Sequence, residues 1–113
     1  MMNNILEHWQ HPFNKGLHPG NRQGTARSEI CGDEITLAIH EDGRITDAYF
    51  DGEGCTICLG MASLLTHWLI GKSLTEARQF DRASFFALAS IPIEKRREGC
   101  ALVAFDALRQ ALG

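Results

Sequence analysis

The chain lacks the features that would commit it to a membrane or to a polyanion. No apolar run is long enough to span a bilayer, and the opening Met-Met-Asn-Asn-Ile-Leu-Glu-His-Trp-Gln has no positively charged start and no signal-peptide apolar stretch. A cytoplasmic location is the expectation, with no membrane partner. An excess of one charge is also missing: 11 basic against 14 acidic residues give a formal charge of −3, so nucleic acid is not an expected partner either. Repeats and low-complexity blocks are absent, and four cysteines are too few for a disulfide scaffold. A second Cys-x-x-C to accompany Cys55–Cys58 is missing, as is the βαβ pattern of a thioredoxin-like redox protein. What the chain does have is 113 residues, 44% of them hydrophobic and 22% charged, which suits a single domain over 1–113.

The order of elements follows from periodicity and turn residues. A short helix over 3–11 presents Ile5, Leu6 and Trp9 and is stopped by His11-Pro12. Residues 14–27, with Gly16, Pro19, Gly20 and Gly24 among polar neighbours, read as a mobile connector. Ile35, Leu37 and Ile39 alternate strictly and place a strand over 29–40. A hairpin turn at Glu41-Asp42-Gly43-Arg44 then leads to a second strand through Ile45, Ala48 and Phe50. After Cys55 the period lengthens to that of a helix, with Ile57, Met61, Leu64, Leu65, Trp68 and Leu69 on one stripe ending at Gly71. Ser73 and Glu76 form a capping-box pattern opening a short helix, and another short helix is expected over 81–89. A last helix over about 96–112 carries Leu102, Phe105, Leu108 and Leu112 on one face. Strands first and helices after imply an α+β fold, a small antiparallel sheet with helices packed on one face.

The cysteines fall at element boundaries rather than in the middle of apolar stripes. Strand alternation puts Cys31 and Asp33 on one face, with Gly32 leaving the backbone between them open. Cys55 follows Gly52-Glu53-Gly54 and precedes the long helix, close to unsatisfied backbone N–H groups and the positive end of the helix dipole. Cys100 falls in the first turn of the last helix, just after Arg96 and Arg97, and Arg97 is positioned to stabilise its thiolate. Three thiolates and one carboxylate suit a tetrahedral zinc site or one edge of an iron–sulfur cluster. The alternative is a set of buried thiols acting as small hydrophobes. Cys58 reads as a small buried residue on the helix stripe, or as a spare ligand or sulfur relay. The five histidines and both tryptophans read as surface or packing residues.

In order along the chain, several segments resemble the U-type iron–sulfur cluster assembly scaffold family, whose branches are IscU, the NifU N-terminal domain and SufU. They are Cys31-Gly32-Asp33, Gly52-Glu53-Gly54-Cys55-Thr56-Ile57, Gly71-Lys72-Ser73-Leu74 and Arg97-Glu98-Gly99-Cys100-Ala101-Leu102, with the opening helix and its proline exit before them. The resemblance implies a scaffold rather than a conventional enzyme. Such a protein accepts persulfide sulfur from a cysteine desulfurase, binds iron, holds a transient [2Fe–2S] cluster and passes it to recipient apo proteins, with an iron donor as a further partner. By position it implies Cys31, Cys55 and Cys100 as cluster ligands, Asp33 as the aspartate that ligates zinc or iron and keeps the cluster releasable, and Cys100 as sulfur acceptor. It also admits a zinc-dependent sulfurtransferase of the SufU kind, while a structural-zinc module using all four cysteines is a third reading.

The chain is mixed between branches. Gly99 stands where the IscU branch has a histidine before the last cysteine, and Arg97 matches the SufU branch where IscU has a lysine. The SufU insertion before the last cysteine is missing. The chaperone-recognition segment of the IscU branch is represented only by Ile91-Pro92-Ile93-Glu94-Lys95, so the resemblance does not extend to a dedicated chaperone pair.

Overall fold

The computed structural model describes residues 3–16, 20–28 and 32–113. Three strands, β1 (Arg22–Arg27), β2 (Glu34–Asp42) and β3 (Arg44–Glu53), form one antiparallel sheet in the order β1-β2-β3. Five helices accompany them: α1 (Asn4–Gln10), α2 (Thr56–Leu69), α3 (Leu74–Gln79), α4 (Arg82–Phe86) and α5 (Glu98–Leu112), with a 3-10 turn at Lys95–Arg97 leading into α5. The fold is α+β, as the order of sequence patterns implies.

One face of the sheet carries the core. The register aligns Gly24 with Leu37 and Leu37 with Phe50, and these three are buried in one row, flanked by buried Ile35 and Ile39. Onto that face α5 packs over β1 and β2, while α2 packs beside β3. The apolar stripe of α2 delivers Met61, Leu65 and Leu69, and α5 delivers Ala101, Ala104, Phe105 and Leu108. On the opposite face Thr25 and Thr36 share a hydroxyl hydrogen bond of 2.9 Å. Among the described residues no helix is long and apolar enough to cross a membrane.

The expectation of a mobile connector over 14–27 fails for the part that forms β1. Gly24 is buried because the backbone of α5 runs directly over it: a Cβ there would collide with Ala107 O and come within 2.5 Å of Ala111 N. The strand therefore buries small residues, Gly24 and partly Ala26, and carries none of the large alternating side chains that announce a strand. Asn14 and Gly16 also join the sheet, since Gly16 N–H donates to Phe50 O (2.9 Å) and Phe50 N–H donates to Asn14 O (3.0 Å). This covers the free edge of β3 at Phe50, where unpaired backbone groups would otherwise be offered.

The strand expected over 29–40 is shorter than its pattern. It starts at Glu34, because Gly32 adopts φ +72 and turns the chain immediately before Asp33. At the hairpin only Gly43 has positive φ (+76), and Asp42 remains in the strand. Trp9 is 42% exposed and stands outside the core, whereas Trp68 stacks on Phe80 with ring centroids 3.9 Å apart. His8, expected to face solvent, is half-buried with Nδ1 2.7 Å from Ser63 Oγ, the same hydroxyl oxygen that accepts the Phe13 N–H.

Candidate metal centre

Three chain segments converge at one end of the sheet. The first is the turn before β2, where Ser28 closes the approach to Asp33: Ser28 N–H donates to Asp33 O (2.7 Å) and Gly32 N–H donates to Ser28 O (2.9 Å). The second is the exit of β3. Gly52 has φ +148, and a Cβ there would run into Glu34 O, so only glycine lets β3 pass this close to the start of β2. Gly54 follows. A Cβ on Gly54 would stand 2.8 Å from Cys58 Sγ and 3.2 Å from Asp33 Cγ, so this glycine lets the Asp33 turn and the start of α2 approach each other. The third segment is the 3-10 turn that delivers Cys100 in the first turn of α5.

Asp33, Cys55 and Cys100 thereby each offer a ligand atom within 4.8 Å of the others. Asp33 is 5% exposed, Cys100 is 7% exposed and Cys55 is half-buried. Asp33 Oδ2 is buried without a hydrogen-bond partner among the described residues. A carboxylate oxygen held away from water and from donors is destabilising unless a cation completes it. Two thiols and one carboxylate facing a common point form a donor set that fits zinc or iron.

Cys55 is the N-cap of α2, in an extended conformation (φ −74, ψ 172) with no side-chain hydrogen bond to the helix. Its sulfur is thus left to the cluster of ligand atoms rather than to capping. Arg97 occupies the N-cap of α5, also without a side-chain cap. It lines a cavity of about 280 Å³ together with Arg96, Cys55 and Cys100, so two arginines border the two-thiol site. Arg96 is additionally tied to Glu94 Oε2 at 2.7 Å. A second cavity, of about 520 Å³, adjoins the same end of the sheet and has an acidic lining from Glu34, Asp51 and Glu53, with Arg27 paired to Glu34.

Of the residues singled out in the sequence, Asp33, Cys55, Cys100 and Arg97 come together here. Cys31 lies outside the described residues. Gly32 and Asp33 precede β2. Cys58 is fully buried in the core, as its position on the stripe implies, and is not among the converging ligand atoms. Arg96, which the sequence places beside Arg97 just before Cys100, lines the same cavity, whereas the tight packing of Gly54 against both Cys58 and Asp33 left no signal in the sequence.

This convergence coincides with a family match over the full chain. The model of the NifU-like N terminal domain matches residues 1–113. The chain belongs to that family. Curated relatives of this NifU-like domain include the iron-sulfur cluster assembly scaffold protein IscU of Buchnera aphidicola, 30% identical with 96% of this chain and 88% of that protein covered. The Rickettsia prowazekii protein of the same name is 31% identical, with 96% and 86% covered. Among solved structures, a protein of Fervidobacterium islandicum described as an iron–sulfur cluster assembly scaffold for the SUF system superposes with TM-score 0.77 at 21% identity, covering 100% of this chain and 96% of that one. The N-terminal part of a NifU-like protein from Brucella abortus gives TM-score 0.75 at 23% identity, with 96% and 89% covered. At those identities the two structures speak for the fold.

Proposed function

We propose that this protein is an iron–sulfur cluster assembly scaffold that accepts sulfur from a cysteine desulfurase, binds iron, and builds and hands on a transient [2Fe–2S] cluster. One observation carries the reading: the ligand atoms of Asp33, Cys55 and Cys100, brought from three separate segments, lie within 4.8 Å of one another around a buried carboxylate oxygen that has no partner among the described residues. Membership in the NifU-like family and the names of the IscU relatives support it. Cys55, Cys100 and Asp33 hold the cargo, with Cys31 added from the sequence resemblance. A hard carboxylate among soft thiolates exchanges more readily than a further cysteine, which suits a donor rather than a store. Cys100 receives the sulfur, and Arg97 beside it favours the thiolate that attacks the incoming persulfide.

The test is anaerobic reconstitution with ferrous iron, free cysteine and a cysteine desulfurase, followed by visible absorption, iron and sulfide content, and transfer to an apo ferredoxin. Cluster absorption and transfer are expected. The arginine-lined cavity on Cys55 and Cys100 favours a second reading, a zinc-dependent sulfur acceptor that partners the same desulfurase. Retention of one zinc throughout, with persulfide formed and no cluster, would replace the first reading with the second.

A further inference from the structure

Sulfur arriving as a persulfide is at the sulfane level, whereas the sulfur of a cluster is sulfide, so two electrons must be supplied between the two. We infer that Cys58 is the resolving thiol that supplies them together with Cys55. This rests on the reading of the site as a sulfur acceptor. Cys58 is fully buried, yet it borders the centre: its Sγ and the Asp33 carboxyl carbon lie 2.8 Å and 3.2 Å from the same point above Gly54. Among the described residues it is not one of the converging ligand atoms.

The start of α2 sets the relation between the two sulfurs. Cys55 is the N-cap and Cys58 the third helical residue, and Leu59 N–H donates to Cys55 O at 3.0 Å, closing the first turn. In this same protein, side chains at extended N-caps reach the residue three further on: Ser73 Oγ accepts from Glu76 N–H at 3.1 Å, and Asp81 Oδ1 accepts from Ser84 N–H at 2.8 Å. The backbone of Cys55 (φ −74, ψ 172) matches that of Ser73 (φ −78, ψ 162). Rotation about one side-chain bond therefore carries Cys55 Sγ from the ligand cluster toward Cys58. Residues three apart on a helical turn have the Cα separation that a disulfide spans.

The chemistry balances without a metal. A persulfide on Cys100 first moves its outer sulfur to the Cys55 thiolate, whose Sγ lies within 4.8 Å, leaving Cys100 as thiolate and Cys55 as persulfide. The Cys58 sulfur then attacks the inner sulfur of the Cys55 persulfide. A Cys55–Cys58 bond forms, the inner-to-outer sulfur bond breaks, and the outer sulfur takes both bonding electrons and the Cys58 proton to leave as hydrogen sulfide. The pair of cysteines is oxidised to a disulfide, and the sulfane atom is reduced to sulfide. An external dithiol restores the pair by thiol–disulfide exchange. Burial of Cys58 keeps it from outside disulfides, so it reacts within the chain.

The test loads the full chain anaerobically with inorganic polysulfide, without iron or reductant, and follows released sulfide while mass spectrometry maps the cysteines. The wild type is expected to release about one sulfide per persulfide formed and to yield a Cys55–Cys58 disulfide. Cys58→Ala and Cys58→Ser should retain the persulfide and release at least about tenfold less sulfide, until a dithiol is added. The wild-type disulfide map does not depend on either variant folding. Persistent wild-type persulfide, a disulfide elsewhere, or equal release from a folded Cys58→Ala protein overturns the assignment. Cluster formation from ferrous iron and inorganic sulfide needs no persulfide. If that succeeds while the sulfide assay fails, only the resolving role is lost; if it fails too, the scaffold reading goes with it.

Discussion

The helix starts at the centre and those away from it are built differently. Away from the centre, each start is closed by its own side chain. Asn3 Oδ1 accepts from Ile5 N–H at 3.0 Å, Ser73 and Glu76 make a reciprocal capping box, and Asp81 accepts from Ser84 N–H at 2.8 Å. At the centre, Cys55 and Arg97 occupy the N-caps of α2 and α5 and make no side-chain cap. A good N-cap contributes about 1 kcal/mol. The two longest helices forgo it where they meet, and the positive ends of their dipoles favour anionic thiolates or incoming sulfur anions. Stability has been conceded at the positions where chemistry is proposed.

Exchanging the two kinds of start should break this contrast in opposite directions. Cys55→Ser removes a ligand and installs a competent cap, so reconstituted cluster absorption should vanish while the thermal midpoint holds or rises, by up to about 1 kcal/mol of stability. A fall in midpoint would show that the thiol also supports the helix start. Next in size, Gly54→Ala forces a Cβ to 2.8 Å from Cys58 Sγ and 3.2 Å from Asp33 Cγ. Displacing the support of a ligand commonly weakens metal binding about tenfold or more. Titration with zinc should read that loss even where the fold survives.

Asp33→Ala removes a buried carboxylate whose Oδ2 has no partner among the described residues. The metal-free protein should gain about 1–3 kcal/mol in urea unfolding, while cluster transfer to an acceptor slows. Away from the centre, Ser73→Ala should cost about 1 kcal/mol of stability and leave cluster assembly unchanged. The same substitution should alter the acid limb of stability. Hydrogen bonds from the Ser73 backbone and then from its side chain hold the Glu76 carboxyl below its usual range. Glu76 thus contributes stability above the ordinary glutamate pKa, and that contribution disappears as pH falls through the lowered value. Ser73→Ala removes the side-chain hydrogen bond and keeps the larger backbone one, so this part of the acid dependence should shrink without vanishing.

The smallest effect belongs to α1. Burial first, then the facing His67, lowers the His8 pKa, with Glu7 acting in the opposite direction. The neutral imidazole is favoured in the folded chain. Its contribution is complete above the ordinary histidine range and is lost as pH falls through the lowered value. Protection factors of the α1 amides, which correct for the intrinsic pH dependence of exchange, should therefore fall on acidification, and His8→Gln should remove that fall.

What the sequence disclosed and what it hid divide along physical lines. The capping box at Ser73 and Glu76, the stripe on α2 and the burial of Cys58 are local consequences of helical spacing, and each is present as the pattern implies. β1 is hidden in the sequence because its buried position holds Gly24, required by the approach of α5, and its partly buried one holds only Ala26. The start of β2 at Glu34 was hidden because the turn at Gly32 depends on a positive φ that the strand pattern does not reveal.

By itself the sequence determined the order of β2, β3 and the helices, the apolar stripe of α2, and the presence of thiols at helix starts, because these depend on period and on neighbours in the chain. Only the tertiary structure decided that Asp33, Cys55 and Cys100 come together, that Arg96 and Arg97 line a cavity with the two thiols, and that Cys58 lies behind Gly54 beside the carboxylate. Those relations join residues far apart in the chain. They exist because glycine at 52 and 54 lets two backbones and a helix start approach more closely than any side chain would permit.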